Sequence, residues 1–594
     1  MFDCVVIGAG PGGLVSTKEL LERGFHDVVC LEKTASLGGT FAKAYDNLVM
    51  TSSAIMSMFS DFWVGDGNDN KFWTKDEAVD YYERYAKHFG VYERIRFNSA
   101  VKSTNLREDG TWDVKLASEE TLHTRRVILA IGNNDIPSYP TWQKSLTEIE
   151  YSHSKEYRNA DKLAGKNVLV VGGGESGSDI ALETAKVAKN CWVSLRSSTG
   201  WIVPRTIGSK AKDSSSHRGI WGLPREYGKN LKNIALDSED RAAQPCGYAK
   251  DTSSHRGIWG LPREYGKQLK NIAPFAEESA QPCGYAKDSS SHRGIWGLPR
   301  EYGKNLKNVV PNPTNNPVYD AAAMLNNKVE AENGPWGTYG TKTLSLPIAI
   351  ANHGCKVVGE VSDVENGGKT LHTADGETLE NVDVVIFCTG YQNYVAFLPE
   401  EIRQTDPRSL YKHMFHPAYG DKLAWVGWAR PAFGSQLPIM EMQARLFAGI
   451  CAGDISLPSL AEMEQTIAKD SAANLAQFEH NARRVRSLVD YYYYMDDLAG
   501  MMGCRPPLWQ YFFTHPRIWL RMVYGATQAT QFRLRGLGSK KALAQELLAK
   551  MPVSKFNYVV KAGIKGRIQY ALKALMPKFK SQSTATQTAS PSAS

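Results

Sequence analysis

The chain has 594 residues, 42% hydrophobic and 22% charged, which suits a globular protein of several domains. Its net charge is +8, but ten basic residues and one acid, Glu546, fall between Lys540 and Lys580, so that stretch carries +9 and the rest of the chain −1. A nearly neutral body argues against nucleic acid as a partner, no apolar run approaches the ~20 residues needed to span a bilayer, and the nine cysteines, with no CxxC pair, predict neither a disulfide framework nor a metal site.

Residues 2–7 read as a buried parallel strand that begins at Phe2, which predicts no signal or transit peptide and a cytoplasmic location. Gly-Ala-Gly-Pro-Gly-Gly follows at 8–13, then a helix to about Arg23 and a second strand from Val28 that ends on Glu32. This is one βαβ unit. The pattern restarts near Asn167, where Asn-Val-Leu-Val-Val leads into Gly-Gly-Gly-Glu-Ser-Gly at 172–177. A helix to about Ala188 and a strand from Cys191 to Leu195 complete the second unit. Another buried strand is predicted around 382–391, ending in a tight turn, and helices from about 460.

Between the second unit and that strand lies a repeat. A 21-residue unit starting at Asp213 recurs at Asp251 and Asp288, with spacings of 38 and 37. The near-identity of the copies predicts a recent tandem duplication or an error in assembling the coding sequence. A helical array is the alternative, but the unit has little apolar face to stack. Near the C-terminus, Ile564, Ile568, Leu572 and Leu575 stand at helical spacing beside Lys561, Lys565, Arg567 and Lys573. Two readings stay open for 556–580: a solvated helix, or one lying on an anionic membrane surface. The Ser/Thr/Ala/Pro-rich residues 581–594 read as a disordered tail.

The glycine motifs carry the chemistry. Gly8, Gly10 and Gly13 have GxGxxG spacing: the first permits a tight turn, the second lets backbone approach a pyrophosphate, and the third lets helix and strand pack closely. The helix N-terminus then presents unpaired N–H groups to the phosphates. Glu32 lies at the next strand end, where an acid can bond ribose hydroxyls. Gly172, Gly174 and Gly177 repeat the spacing, but their second strand ends in Leu195-Arg196-Ser197. An acid there would repel a 2′-phosphate, whereas Arg bonds one, so NADPH is expected over NADH. Two such motifs in one chain suggest a flavin and a nicotinamide with hydride passing between them.

These residues resemble the flavin-containing monooxygenases, class B flavoprotein monooxygenases, over most of residues 1–536. The likeness rests on both glycine motifs, on Leu37–Phe41, Met58–Phe62, Ala130-Ile131-Gly132, Cys388-Thr389-Gly390-Tyr391, Leu410–Pro417, Pro438–Arg445 and Gln531–Leu534. Of the family's identifying motif His153 and Tyr157 are in place, while Thr147 and Ile149 stand where Phe and Gly are usual. An Asn near the flavin is replaced by Thr51, followed by Ser52; a hydroxyl has fewer donors than an amide.

The resemblance implies an α/β fold with two dinucleotide-binding, Rossmann-like domains, the NADPH domain inserted into a discontinuous FAD domain. The expected divisions are 1–150 (FAD), 151–330 (NADPH, with the repeat at 213–308), 331–460 (FAD again), 461–580 (helical) and 581–594 (tail). It implies cofactor contacts at Gly8, Gly10, Gly12, Gly13, Glu32, Lys33, Gly39, Thr40, Thr51, Gly172, Gly174, Ser176, Gly177, Arg196, Ser197 and Gly390, with Thr51 and Ser52 as the catalytic pair. The implied activity is that of an N,N-dimethylaniline monooxygenase-like enzyme: FAD reduced by NADPH forms a C4a-hydroperoxide with O2, and a nucleophilic N or S atom of a small molecule takes the distal oxygen. Baeyer–Villiger insertion into a ketone and a non-catalytic nucleotide-binding scaffold are the alternatives. His153 is expected to be a structural hinge, and Tyr491 to Tyr494 to pack within a helix.

Overall fold

The computed structural model describes residues 1–65, 71–197, 199–207, 210–211, 213, 316–332, 339–431, 434–478, 486–526 and 528–553. Of the repeat only Asp213 is described, and the segment 556–580 and the tail 581–594 lie outside the described residues.

Short runs of β-branched and apolar residues build two parallel sheets. In chain order, β1 (Cys4–Ile7), β2 (Val28–Leu31), β3 (Ile95–Arg96) and β4 (Val127–Leu129) lead to β5 (Glu150–His153), β6 (Asn167–Val171), β7 (Asn190–Ser194), β8 (Lys356–Val358), β9 (Val384–Phe387) and β10 (Leu423–Trp425). The first sheet has the order β10-β4-β1-β2-β3 and the second β8-β7-β6-β9-β5, every pair in both being parallel. All of β1, β2 and β9 is buried, as strands covered on both faces require. The fold is therefore α/β with two doubly wound units, the second inserted into the first.

The sheets correct the expected divisions. β8 and β9 belong to the second sheet, so the inserted unit runs past residue 331 to the turn after Phe387, and the chain rejoins the first sheet only at β10. The reason is long-range pairing: β9 lies between β5 and β6, a placement that hydropathy along the chain does not encode.

Helices α1 (Pro11–Glu22) and α2 (Lys75–His88) belong to the first unit, and α3 (Glu175–Ala185) and α4 (Ser345–His353) pack on each other in the second. The helical part begins with α5 (Leu437–Cys451) and continues through α6 (Leu460–Phe478), α7 (Tyr491–Met501), α8 (Leu508–Thr514), α9 (Pro516–Tyr524) and α10 (Lys541–Lys550). α5 packs along α1 and is buried nearly all round. Its polar side chains must then find partners inside. Gln443 accepts from the Gly427 N–H at 2.9 Å and donates to Tyr494 Oη at 2.7 Å. Arg445 donates to the carbonyls of Phe532 and Leu537 at 3.0 and 2.6 Å. Tyr491, Tyr492 and Tyr494 are core residues of α7, in keeping with a packing role.

The densest group of buried charge surrounds Arg533. Its guanidinium bonds Glu441 at 2.8 Å, Ser60 Oγ at 2.8 Å and also Glu19. Asp61 binds Lys18 at 2.5 Å and Lys540 at 2.6 Å. Burial would raise the Glu19 carboxyl, but Arg533 and Lys18 outweigh it and hold it at about 2. Four carboxylates (Glu19, Glu22, Asp61, Glu441) pair with three cations (Lys18, Arg533, Lys540). Such a group stabilises only while complete, because removing one partner leaves a buried charge uncompensated. Arg533→Met is expected to destabilise the protein by about 3–5 kcal/mol, read as a lower denaturant midpoint. A loss within the ~0.5 kcal/mol typical of surface changes would show that the remaining cations suffice.

Candidate functional site

The same turn is built twice. Gly8 leaves β1 with φ +105°, and a Cβ there would stand 2.7 Å from the Ala130 carbonyl oxygen at the end of β4. Gly172 leaves β6 with φ +111°, and its Cβ would stand 2.5 Å from the Cys388 carbonyl oxygen at the end of β9. The third glycine packs the helix onto that turn: a Cβ would lie 1.8 Å from Gly8 O at Gly13, and 2.0 Å from Gly172 O at Gly177. Gly8 N–H donates to Leu31 O at 2.7 Å and Gly172 N–H to Ser194 O at 2.9 Å, so each loop is also tied to the neighbouring strand. No side chain caps α1 at Gly10 or α3 at Gly174. The first-turn N–H groups of both helices are thus left to an anionic ligand. This is a fit to a pyrophosphate at each site.

What surrounds the two loops differs. Glu32, buried at the end of β2, accepts from the Ala9 N–H through Oε2 at 3.0 Å, and from Thr34 N–H and Oγ1 through Oε1 at 3.0 and 2.8 Å. It braces the first loop, and these three bonds take three of a carboxylate's about four acceptor positions. Gly39 lies across from Gly10, and Gly12 packs beneath Val426. Thr40 is exposed and opens the short helix Phe41–Lys43. Lys33 is exposed and pairs with Asp135 at 2.8 Å, which also binds Lys155 at 3.1 Å. At the second loop Arg196 and Ser197 are exposed at the end of β7, with no acid in the place of Glu32, and Ser176 is half-buried in the first turn of α3.

Gly390, with φ +79°, forms a turn on which three parts of the chain meet. Its carbonyl accepts from Ser138 N–H at 2.9 Å and from His153 Nε2 at 3.1 Å. His153 Nδ1 accepts from Lys155 N–H at 3.2 Å. Both ring nitrogens are therefore engaged by backbone in the neutral form, and burial lowers the imidazole's pKa. His153 is a brace of the turn, and Tyr139 and Tyr391 pack edge-on against its ring.

Thr51 and Ser52 sit just before the short helix Ala54–Ser57. Thr51 is half-buried and makes no side-chain hydrogen bond among the described residues. Ser52 is held by a residue without a sequence motif: Lys342 donates to Ser52 Oγ at 3.1 Å and to Gly434 O at 3.0 Å, and Ser52 itself donates to Gly434 O at 3.1 Å. Lys342 is 8% exposed, and burial lowers its pKa while Asp213 and Glu175 oppose that shift. Asp213 accepts from Ser53 N–H at 2.7 Å. Lys342 follows Gly340–Thr341, paired with Trp201–Ile202 on the inserted unit, so it joins that unit to the first one at Ser52. A second junction links Tyr45 Oη to Asp179 of α3 at 2.8 Å. Lys342, Tyr45 and Asp179 do not stand out in the sequence, because each matters through a partner distant along the chain.

A family model described as flavin-binding monooxygenase-like matches residues 3–211 and 336–576, leaving out the segment that contains the repeat. The chain is 31% identical over 577 residues to the 4-hydroxybenzoate brominase (decarboxylating) of Marinomonas mediterranea, covering 92% of each protein. It is 27% identical over 569 residues to the N-oxide-forming dimethylaniline monooxygenase 2 of Pan troglodytes, covering 90% of this chain and 88% of that one. The crystal structure of cyclohexanone monooxygenase from Rhodococcus sp. Phi1 bound to NADP+ has the same fold, with a TM-score of 0.53 and 16% identity over 84% of this chain and 97% of that one.

The Lys342 junction is open to test. Lys342→Met removes two hydrogen bonds and the cation facing Asp213. It should lower the melting temperature by an amount equivalent to about 1–3 kcal/mol, and adding Asp213→Asn should recover part of the loss. An unchanged melting temperature in the single variant would mean that Ser52 and Gly434 hold together without the lysine.

Proposed function

The chain belongs to the flavin-binding monooxygenase-like family, with FAD and NADPH as cofactors, and we propose that it uses them with O2 to oxygenate a nucleophilic nitrogen or sulfur of a small molecule. The observation that carries this reading is the pair of equivalent glycine turns, one followed by Glu32 and the other by Arg196. Together the two cofactors supply hydride transfer and activation of oxygen. Gly8, Gly10, Gly12 and Gly13 with the α1 N-terminus would hold the FAD pyrophosphate, and Glu32 a ribose hydroxyl. Gly172, Gly174, Ser176 and Gly177 with α3 would hold NADPH, and Arg196 with Ser197 its 2′-phosphate. Thr51 and Ser52 would orient the reacting groups through their hydroxyls, Ser52 being fixed by Lys342. His153 is bonded at both ring nitrogens and is not available as a general acid or base. The chain's part is thus binding, orientation and exclusion of water.

The 31% identity with a 4-hydroxybenzoate brominase favours a second reading, in which halide takes the oxygen and a phenolic acid is brominated. Both readings place a soft nucleophile at the same point and differ in the pocket around it. Ketone oxygenation draws support from fold likeness alone.

The purified holoenzyme, given NADPH and labelled oxygen, should be offered in turn a tertiary amine, a thioether, a cyclic ketone, and 4-hydroxybenzoate with bromide. The expected result is label in an N-oxide or S-oxide. A brominated phenol or a lactone as the sole product would replace the proposal. In the same assay Arg196→Ala should raise KM for NADPH about 10- to 100-fold and leave KM for NADH nearly unchanged, since a charge-assisted bond is worth roughly 1.5–3 kcal/mol. Equal effects on both nicotinamides would remove Arg196 from the 2′-phosphate site.

A further inference from the structure

The C-terminal part has a charge and a surface that the nucleotide sites do not use. From Leu498 to Ser594 the chain has fifteen Lys and Arg and one acid, Glu546, so these 97 residues carry +14 and the first 497 carry −6. Helices α8 and α9 form a hairpin joined at His515 and packed on each other, with α9 against α10. Tyr511 and Met522 face the core, both 2% exposed. On the outside, Trp509 is 79% exposed, Phe513 75% and Phe512 42%. These rings touch each other and Trp519, with centroids 4.9–6.3 Å apart.

Three large aromatic side chains left in water beside one another mark an interaction surface. Its chemistry selects the partner. Arg505 and Arg517 are exposed and Arg521 is half-buried, and none of the three forms an ion pair among the described residues. Trp and Phe backed by unpaired guanidinium groups suit the headgroup layer of an anionic bilayer, where rings enter the interface and cations meet phosphates. A second copy fits poorly, because two strongly basic regions would face each other. Stacked nucleobases fit poorly as well: the rings lie at 76–85° to one another and offer no parallel platform. The described chain ends at Val553, and Val553 bridges Gly525 at the foot of α9. The sequence after Val553 carries seven further basic residues between Lys555 and Lys580.

We propose that the α8–α9 face docks on an anionic lipid surface, with Trp509, Phe512 and Phe513 entering the headgroup region and Arg505, Arg517 and Arg521 binding lipid phosphates. The test is co-sedimentation of the full-length holoenzyme with phosphatidylcholine vesicles containing either no phosphatidylserine or about one-third phosphatidylserine. Binding is expected to the anionic vesicles at low salt, with release at high salt. Trp509→Ser with Phe513→Ser should weaken it at least about tenfold. Arg517→Gln with Arg521→Gln should weaken it by about twenty-five-fold, from roughly fivefold per basic residue. Trp509, Phe513 and Arg517 are exposed and Arg521 is half-buried, away from both glycine turns, so flavin content should not change. Anionic-vesicle binding that survives both pairs of substitutions would assign the contact to another part of the chain and overturn the proposal. So would equal binding to neutral vesicles, or a dimer that Trp509→Ser dissociates.

Discussion

The buried Arg533 guanidinium needs acceptors that close on it, and three carboxylates and a hydroxyl that do so gather four distant parts of the chain. Glu19 comes from α1, Ser60 and Asp61 from the segment after the Thr51–Ser52 loop, Glu441 from α5, and Arg533 from the C-terminal region. α1 is the helix whose N-terminus closes the first glycine turn. Its far end is locked by ion pairs and its near end by the contact of Gly13 with Gly8, so the turn is held at both ends. The motif Gln531–Leu534 is thereby part of the first nucleotide unit, although it lies more than five hundred residues from Gly8 along the chain.

The two turns are equivalent because the steric problem is the same. A strand, a helix and the end of a third strand converge, and only glycine has room where they meet. The units differ beyond that point, in Glu32 against Arg196, and we propose that this difference lets one chain hold two cofactors in distinct roles. Among the described residues their junctions include the Asp135 pairs with Lys33 and Lys155, Tyr45 with Asp179, Ser53 with Asp213, and Lys342 with Ser52. The Asp135 pairs lie at the surface, whereas Tyr45 and Lys342 are buried. A buried lysine at a junction beside Ser52 fixes the relative placement of the units where the reacting groups would meet.

The glycine turns were legible in the sequence because their cause is local: a spacing of glycines, a strand before and a helix after. β1, β2, β6, β7 and β9 were legible for the same reason, as short apolar runs with turn residues at their ends. The assignment of β8 and β9 to the second sheet was not, because parallel pairing joins Lys356 to Trp192 and Val384 to Val168 and Glu150, all far apart along the chain. Lys342, Asp213 and Asp179 were not legible either. Nothing in Gly-Thr-Lys-Thr separates a buried lysine from the many exposed ones until its partners at Ser52 and Gly434 are brought to it. Arg533 and Glu441 lay inside recognisable motifs, yet only the structure shows that each serves the other. The choice of nucleophile stays the least legible property, since a brominase and an N-oxide-forming enzyme are both similar to this chain over about nine-tenths of its length.

We propose that FAD and NADPH sit at the two equivalent turns, close enough for hydride to pass between them, and the absorbance of the purified protein in the absence of air reports on this. One flavin per chain is expected, seen as a yellow chromophore that bleaches when NADPH is added and returns when air is admitted. A protein that binds flavin stoichiometrically yet stays oxidised under excess NADPH would contradict it.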